Sequence, residues 1–390
     1  GAGAAAAIIV RDPPNFSLPL EYKNSREVLL MVQPMYFDDL RDVADDSQDG
    51  LFQTDATGTM TLVNGQVQPI ISAAAGEWLR LRMIYAFWQQ DHLDLTIPSC
   101  TMYLLAKDGV YIPTVPRSID AANLISGGRA DIMVSCPEPS QSYELLDGDG
   151  NAIASIETDA SPGVTVDLPT WTPEYPAYLQ DLQAATVKPN CSCPTTVGDN
   201  NGINGYSFEN DRTLHYYQMG EVTEREIDSR NHPYHQHVYP FQLVDGFGID
   251  TNDRNSYYQI GDWHDSMDGT GVIRHRPDVF EGKIMIHCHR LDHEDRGMMA
   301  VEYHASTCQC GDVLTDNELP SWAVIVIATV GALVGVALIV TISVLCCRKL
   351  HMKKRAATYK PKEEDPETGR TTGPAPFVGQ DVGQSTKVEP

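Results

Sequence analysis

Residues 287–299 read HCHRLDHEDRGMM, with three histidines, one cysteine and two methionines, and residues 231–237, NHPYHQH, add three more histidines. Thiolate, imidazole and thioether donors suit zinc, copper and iron rather than magnesium or calcium. The extended run KIMIHCH alternates, which puts Ile284, Ile286 and Cys288 on one face and Met285, His287 and His289 on the other. The cysteine and its neighbours therefore serve different places. His293 and Met298 follow Cys288, and a chain that turns back brings both toward the sulfur. His235 and His237 share a face of their segment, whereas His232 faces the opposite way.

Two sets result. His232, Cys288 and His293 with a weak Met298 form the two-imidazole, one-thiolate, long-thioether recipe of a blue copper site. His235, His237, His287 and His289 form a four-histidine patch. Zinc also takes Cys and His, but it gains nothing from Met298 or from a second histidine set joined through the backbone of Cys288. Copper gains from both, because an electron accepted at the thiolate can leave along the Cys288 main chain into either flanking histidine. His92, His215, His264, His275, His304 and His351 lack close-spaced partners and read as ordinary histidines.

The elements that must position these groups are strands. Many short apolar runs separated by Gly, Asn, Asp and Pro indicate all-β domains, and EWLRLRM alternates Leu79, Leu81 and Met83 with Arg80 and Arg82 as a half-buried strand does. The 390 residues suffice for two or three domains. With 53 acidic against 28 basic residues, nucleic-acid binding by charge is excluded. Residues 322–347 carry no charge and are long enough to span a bilayer. Arg348, Lys349, Lys353, Lys354 and Arg355 follow, which places the cytoplasm on that side and a strongly acidic ectodomain on the other. Cys346 and Cys347, at the inner edge, could carry palmitate, and Gly331 with Gly335 fits G-x-x-x-G, a helix-packing pattern or membrane-helix filler. Residues 348–390 form the cytoplasmic tail, disordered by composition from about residue 356.

Cysteine usage agrees with an outside compartment. Besides Cys288, the ectodomain holds Cys100, Cys136, Cys191, Cys193, Cys308 and Cys310. Connectivity is not legible from spacing; the expected partners are Cys100 with Cys136, and the Cys191/Cys193 pair with the Cys308/Cys310 pair, metal binding by the two Cys-X-Cys pairs being the alternative. Asn15 and Asn190 open N-x-S/T sequons, compatible with glycosylation.

The segments HPYHQH at 232–237 and HCHRLDHEDRGM at 287–298 resemble the HPxHxH and HCHxxxHxxxxM motifs of the multicopper oxidases, the family of laccases, ascorbate oxidases and ferroxidases. The stretches GDWHD and VIRHRPDVFEGKIMIHCH are similar to the third domain of that family, and residues from about 27 to 143 to its copper-free second domain. The resemblance implies tandem cupredoxin-like Greek-key β-barrels followed by one transmembrane helix. Its domains would be the last strand of a truncated first cupredoxin domain (1–20), a second domain (21–165), a third domain with copper (166–311), a juxtamembrane segment (312–321), the membrane helix and the tail. His232, Cys288, His293 and Met298 would bind the type 1 copper, His235 the type 2 copper, and His237, His287 and His289 the type 3 pair. Cys288, His287 and His289 would form the electron bridge.

The family's trinuclear cluster uses eight histidines, four of them from a first domain, and this sequence supplies the later four. Type 1 copper could bind here alone. The complete protein, with the missing N-terminal cupredoxin domain, would hold four copper ions, take single electrons from a donor and reduce O2 to water. A membrane-anchored acidic ectodomain is similar to the ferroxidases of iron uptake, with Asp292, Glu294 and Asp295 as candidate Fe(II)-guiding carboxylates or ordinary surface charges. A phenol or another small organic reductant is the rival substrate. A membrane-anchored blue copper electron-transfer protein without O2 reduction is the rival function.

Overall fold

A computed structural model describes residues 5–37, 58–88, 92–162, 166–184, 186–198, 201–209, 212–246 and 257–315. The expected membrane helix at 322–347 and the tail lie outside the described residues; among those described, no helix is long and apolar enough to cross a membrane.

The described structure is all-β apart from a few short helical turns, as the frequent turn residues and short apolar runs dictate. In the segment expected as the second domain, Leu79–Tyr85 lies between Arg26–Phe37, parallel to it, and Arg129–Ser135, antiparallel. Leu79, Leu81 and Met83 enter the core with Leu104 and Ile132, each full burial contributing about 1.5–3 kcal/mol. The opposite face is less wet than the alternation suggests: Arg80 is also buried. Asp131 on the neighbouring strand explains this, since Arg80 binds one of its carboxylate oxygens and the Arg82 Nε donates to the other at 3.0 Å. Cys100 and Cys136 form a disulfide in this domain.

The segment expected as the third domain runs through strands from Cys191–Ser192 to Gln309–Thr315. Its two sheets enclose a core that includes Ile227, Phe241, Ile273, Ile286, Cys288 and Met298. Disulfides Cys191 to Cys308 and Cys193 to Cys310 join its first strand to the region of its last. Their sulfurs are thereby consumed, so the metal alternative for the two Cys-X-Cys pairs is set aside. The arginine–carboxylate pair between Arg225 and Glu302 lies across this core at 2.9 Å with both side chains fully buried.

Residues 5–19 lie outside the sheets, and Ile8 and Val10 of that segment are 86% and 78% exposed. After Cys288, Leu291–Asp295 closes one helical turn.

These two segments meet along three aspartates spaced three apart in the run DWHDSMD. Asp262 binds Lys107 at 2.6 Å and Arg117 at 2.7 Å. Asp265 binds Arg129 at 2.5 Å, and Asp268 binds His92 at 3.1 Å. Burial alone would raise the Asp262 carboxyl, but the Lys107 ammonium and the Arg117 guanidinium hold it well below the usual carboxylate range.

Candidate metal centre

Strand register sorts the motif. Tyr234–Gln236 pairs antiparallel with Gly282–Cys288, setting Tyr234 opposite Cys288 and His235 opposite His287. Side chains alternate across the sheet, so His232 goes to the cysteine side and His235 and His237 to the other. Backbone bonds close the turn: Cys288 N donates to Met298 O at 3.0 Å, and Met298 N donates to His293 O at 2.9 Å. The helical turn Leu291–Asp295 carries His293 back over the strand end.

Around Cys288 the ligand atoms of His232, Cys288 and His293 all lie within 4.8 Å of one another. The two Nδ1 atoms are 3.0 Å apart, and Sγ is 3.8 Å from His232 Nδ1. Met298 is buried in the same apolar cluster as Cys288. A thiol and two imidazoles converging on one point, with a buried thioether in the same cluster, fit the copper recipe. Both imidazoles keep an exposed edge, whereas Cys288 is fully buried. Burial pushes the Cys288 thiol up to about 12 and lowers the His232 and His293 imidazoles, Arg290 adding to the shift at His293. The imidazoles are thus neutral and ready to ligate at neutral pH, while the thiol holds a proton that a metal must displace.

On the other side, the ring nitrogens of His235, His237 and His287 also fall within 4.8 Å of one another. His237 Nε2 and His287 Nε2 are 3.1 Å apart, and His237 is exposed. His289 completes the patch at 5.5 Å from His235 and 5.7 Å from His287 between ring centroids. Its Nδ1 is buried with no hydrogen-bond partner among the described residues, as a nitrogen reserved for a ligand would be. Other ring nitrogens are held: His235 Nδ1 by Asp265 O at 2.9 Å, and His287 Nδ1 by Cys288 O at 3.0 Å. Such outer contacts fix which nitrogen faces a metal. Burial lowers His289 to about 4 and His235 and His237 as well, and the neighbouring histidines add to it.

Sequence reasoning missed two glycines. A Cβ on Gly198, at φ +107°, would sit 2.5 Å from His232 Nε2, and one on Gly127, at φ +79°, would sit 2.3 Å from His289 Nε2. Only a positive-φ signal such as GG at 127–128 hinted at either. Gly198→Ala is expected to cost about 1–3 kcal/mol of backbone strain and to displace His232. Thermal unfolding together with the absorption spectrum of the copper-loaded protein checks both; an unchanged spectrum refutes the displacement.

The three candidate carboxylates separate. Asp292 is held by Arg290 at 2.7 Å, Glu294 turns toward His287 Nδ1 at 3.4 Å, and Asp295 faces solvent. The other histidines are mostly core. His275 and His304 are fully buried beside Tyr217, and neither of their ring nitrogens has a hydrogen-bond partner among the described residues. Burial, with Arg225 nearby, lowers His304 to about 4 and His215 to about 3. In the unfolded chain they protonate near 6.5, so the unfolded state binds more protons below that pH and stability falls as pH drops from about 6.5 toward 4. Urea midpoints of the metal-free protein should be lower at pH 4.5 than at pH 7, and equal midpoints would contradict this account.

A thiol with one histidine set beside it and a second across the strand forms a site whose donors suit copper. Residues 171–306 match the multicopper oxidase family model. The chain is 22% identical over 316 residues to multicopper oxidase mco of Staphylococcus aureus, covering 76% of this chain and 63% of that protein. It thus spans under two thirds of the length of that curated relative. Among solved structures, a laccase from Pediococcus acidilactici Pa5930 aligns with a TM-score of 0.57 at 24% identity, covering 72% of this chain and 60% of that one. A multicopper oxidase from Campylobacter jejuni, described as a metallo-oxidase, aligns with a TM-score of 0.54 at 19% identity, covering 73% and 65%. The solved structures carry the fold. The family model and the curated relative are those of multicopper oxidases, to which this chain is similar.

Proposed function

We propose that this protein is a multicopper oxidase that withdraws single electrons from Fe(II) at His232, Cys288, His293 and Met298 and delivers them to a trinuclear copper site that reduces O2 to water. The convergence of His232, Cys288 and His293 on the strand that also carries His287 and His289 supports this reading most. Copper supplies one-electron cycling between two oxidation states with these ligands. The chain's residues do the rest. The exposed edges of His232 and His293 receive the electron, and the Cys288 main chain links the sulfur to His287 and His289. The apolar cluster around Cys288 excludes water. His235 would hold the type 2 ion, and His237, His287 and His289 the type 3 pair, with four further imidazoles from another cupredoxin domain.

The acidic composition favours a cationic donor, and Asp292, 3.9 Å from His293 Nε2, and the exposed Asp295 are the carboxylates that would meet one. We assign residues 322–347 to a single membrane span with the ectodomain outside or lumenal; Asn15 and Asn190 are both exposed, as glycan acceptors must be. Oxygen consumption by the full-length protein with Fe(II), and separately with a substituted phenol, tests the reading. Faster uptake with Fe(II) is expected. Preference for the phenol would replace the donor, and a blue protein that consumes no oxygen with either would be an electron carrier.

A further inference from the structure

The turn that ends at Arg129 reaches two of the four patch histidines, His289 directly through Gly127 and His235 through Asp265. Arg129 forms a fork on Asp265, with Nη1 donating to Oδ1 at 2.8 Å and Nη2 to Oδ2 at 2.5 Å. The same Nη1 donates to Gly127 O at 3.1 Å, and Nη2 donates to Asp108 O at 3.2 Å. Asp108 braces the arrangement through Oδ1, which accepts from the Arg129 amide at 3.1 Å, and Oδ2, which accepts from the Asp265 amide at 3.4 Å. Asp265 then presents its main-chain oxygen to His235 Nδ1 at 2.9 Å, while Ser266 Oγ donates to Asp265 Oδ1 at 2.8 Å and lies 2.9 Å from the same ring nitrogen. At the other end, Gly127 packs so closely on the His289 imidazole that no larger residue fits.

We infer that Arg129 is a positioning residue for the histidine patch: from the neighbouring domain it locks the tautomer and ring plane of His235 through Asp265, and the resting place of His289 through Gly127. A carbonyl oxygen only accepts hydrogen bonds, so His235 carries its proton on Nδ1 and presents Nε2 to the patch. An arginine suits the role because its planar fork fixes a carboxylate in two directions at once, which an ammonium does not. The second domain therefore does more than pack against the third. It sets the ligand geometry of a site to which it contributes no ligand. This inference concerns the metal-free protein and stands apart from the identity of the electron donor.

Histidine-ring nitrogen NMR of the metal-free full chain tests it. The His235 signal, identified by its loss in His235→Asn, is expected as a single Nδ1–H tautomer with a slowly exchanging ring proton. Arg129→Met should turn it into a tautomer mixture with a fast-exchanging proton, and Arg129→Lys should give an intermediate result. The His275 and His304 signals, from the core of the third domain, should not move. An Nε2–H tautomer in the wild-type protein would overturn the inference. So would an unchanged His235 in Arg129→Met, or shifts of His275 and His304 as large as that of His235. Should Arg129→Met fail to fold, Asp265→Asn retains the carbonyl and removes the charged fork, and the same outcomes decide.

Discussion

Cys288→Ser is expected to abolish the intense blue absorption of the copper-loaded protein and to reduce donor oxidation to background, while the metal-free protein should melt within a few degrees of wild type. The absorption arises from thiolate to copper charge transfer, and a hydroxyl is neither soft nor acidic enough to replace the sulfur. Serine is close in size, and the site is lined by apolar neighbours, so packing changes little. Absorption spectra and oxygen consumption measure the first two effects, and scanning calorimetry the third; a blue serine variant would refute the assignment of Cys288. The buried thiol also dictates a pH effect. Its pKa is raised to about 12, so copper must displace a proton across the whole neutral range. Copper uptake therefore tightens as pH rises from 6 to 9.

Glu302→Ala has the largest expected effect on stability. Glu302 and Arg225 are fully buried partners at 2.9 Å. Arg225 Nη1 also donates to the Tyr234 hydroxyl at 2.8 Å and to Gln236 Oε1 at 3.0 Å. Burial opposes the Arg225 charge, but Glu302 and the neighbouring tyrosines hold the guanidinium protonated. Removing the carboxylate leaves that charge buried and unpaired, at a cost of about 3–5 kcal/mol. Tyr234 lies opposite Cys288 in the ladder, so the loss extends to the register that brings His232 and His235 to their separate sides. Replacing both partners, Arg225→Met with Glu302→Leu, should recover much of the loss, because no stranded charge is left. Urea unfolding of the single and double variants distinguishes the cases; a single variant as stable as wild type would mean that the pair contributes nothing to the fold.

How much was legible differs by feature. The two-sided arrangement of HCH and HPYHQH follows from the period of a strand, and the observed register repeats it: Cys288 lies with the core residue Ile286, and His235 lies opposite His287. The partners of the cysteine pairs were legible as groups, but that Cys191 meets Cys308 and Cys193 meets Cys310 depended on how the first and last strands align. Arg80 shows the limit of alternation. The strand pattern marked it as polar and outward, and only the neighbouring strand supplies the Asp131 that lets it be buried. The carboxylates around His293 looked equivalent in sequence, and a single helical turn sends Glu294 toward His287 and leaves Asp295 in solvent.

By itself the sequence determined the candidate donors, their division between two faces and the all-β class, because residue chemistry and strand periodicity are local properties. The tertiary structure decided what lies around those donors. Gly198 behind His232, Gly127 against His289, and Asp265 held by Arg129 all come from segments far along the chain or in another domain. No local pattern encodes such contacts. They exist only after both domains have folded and their strands have taken a register, and it is there that the orientation of each imidazole is set.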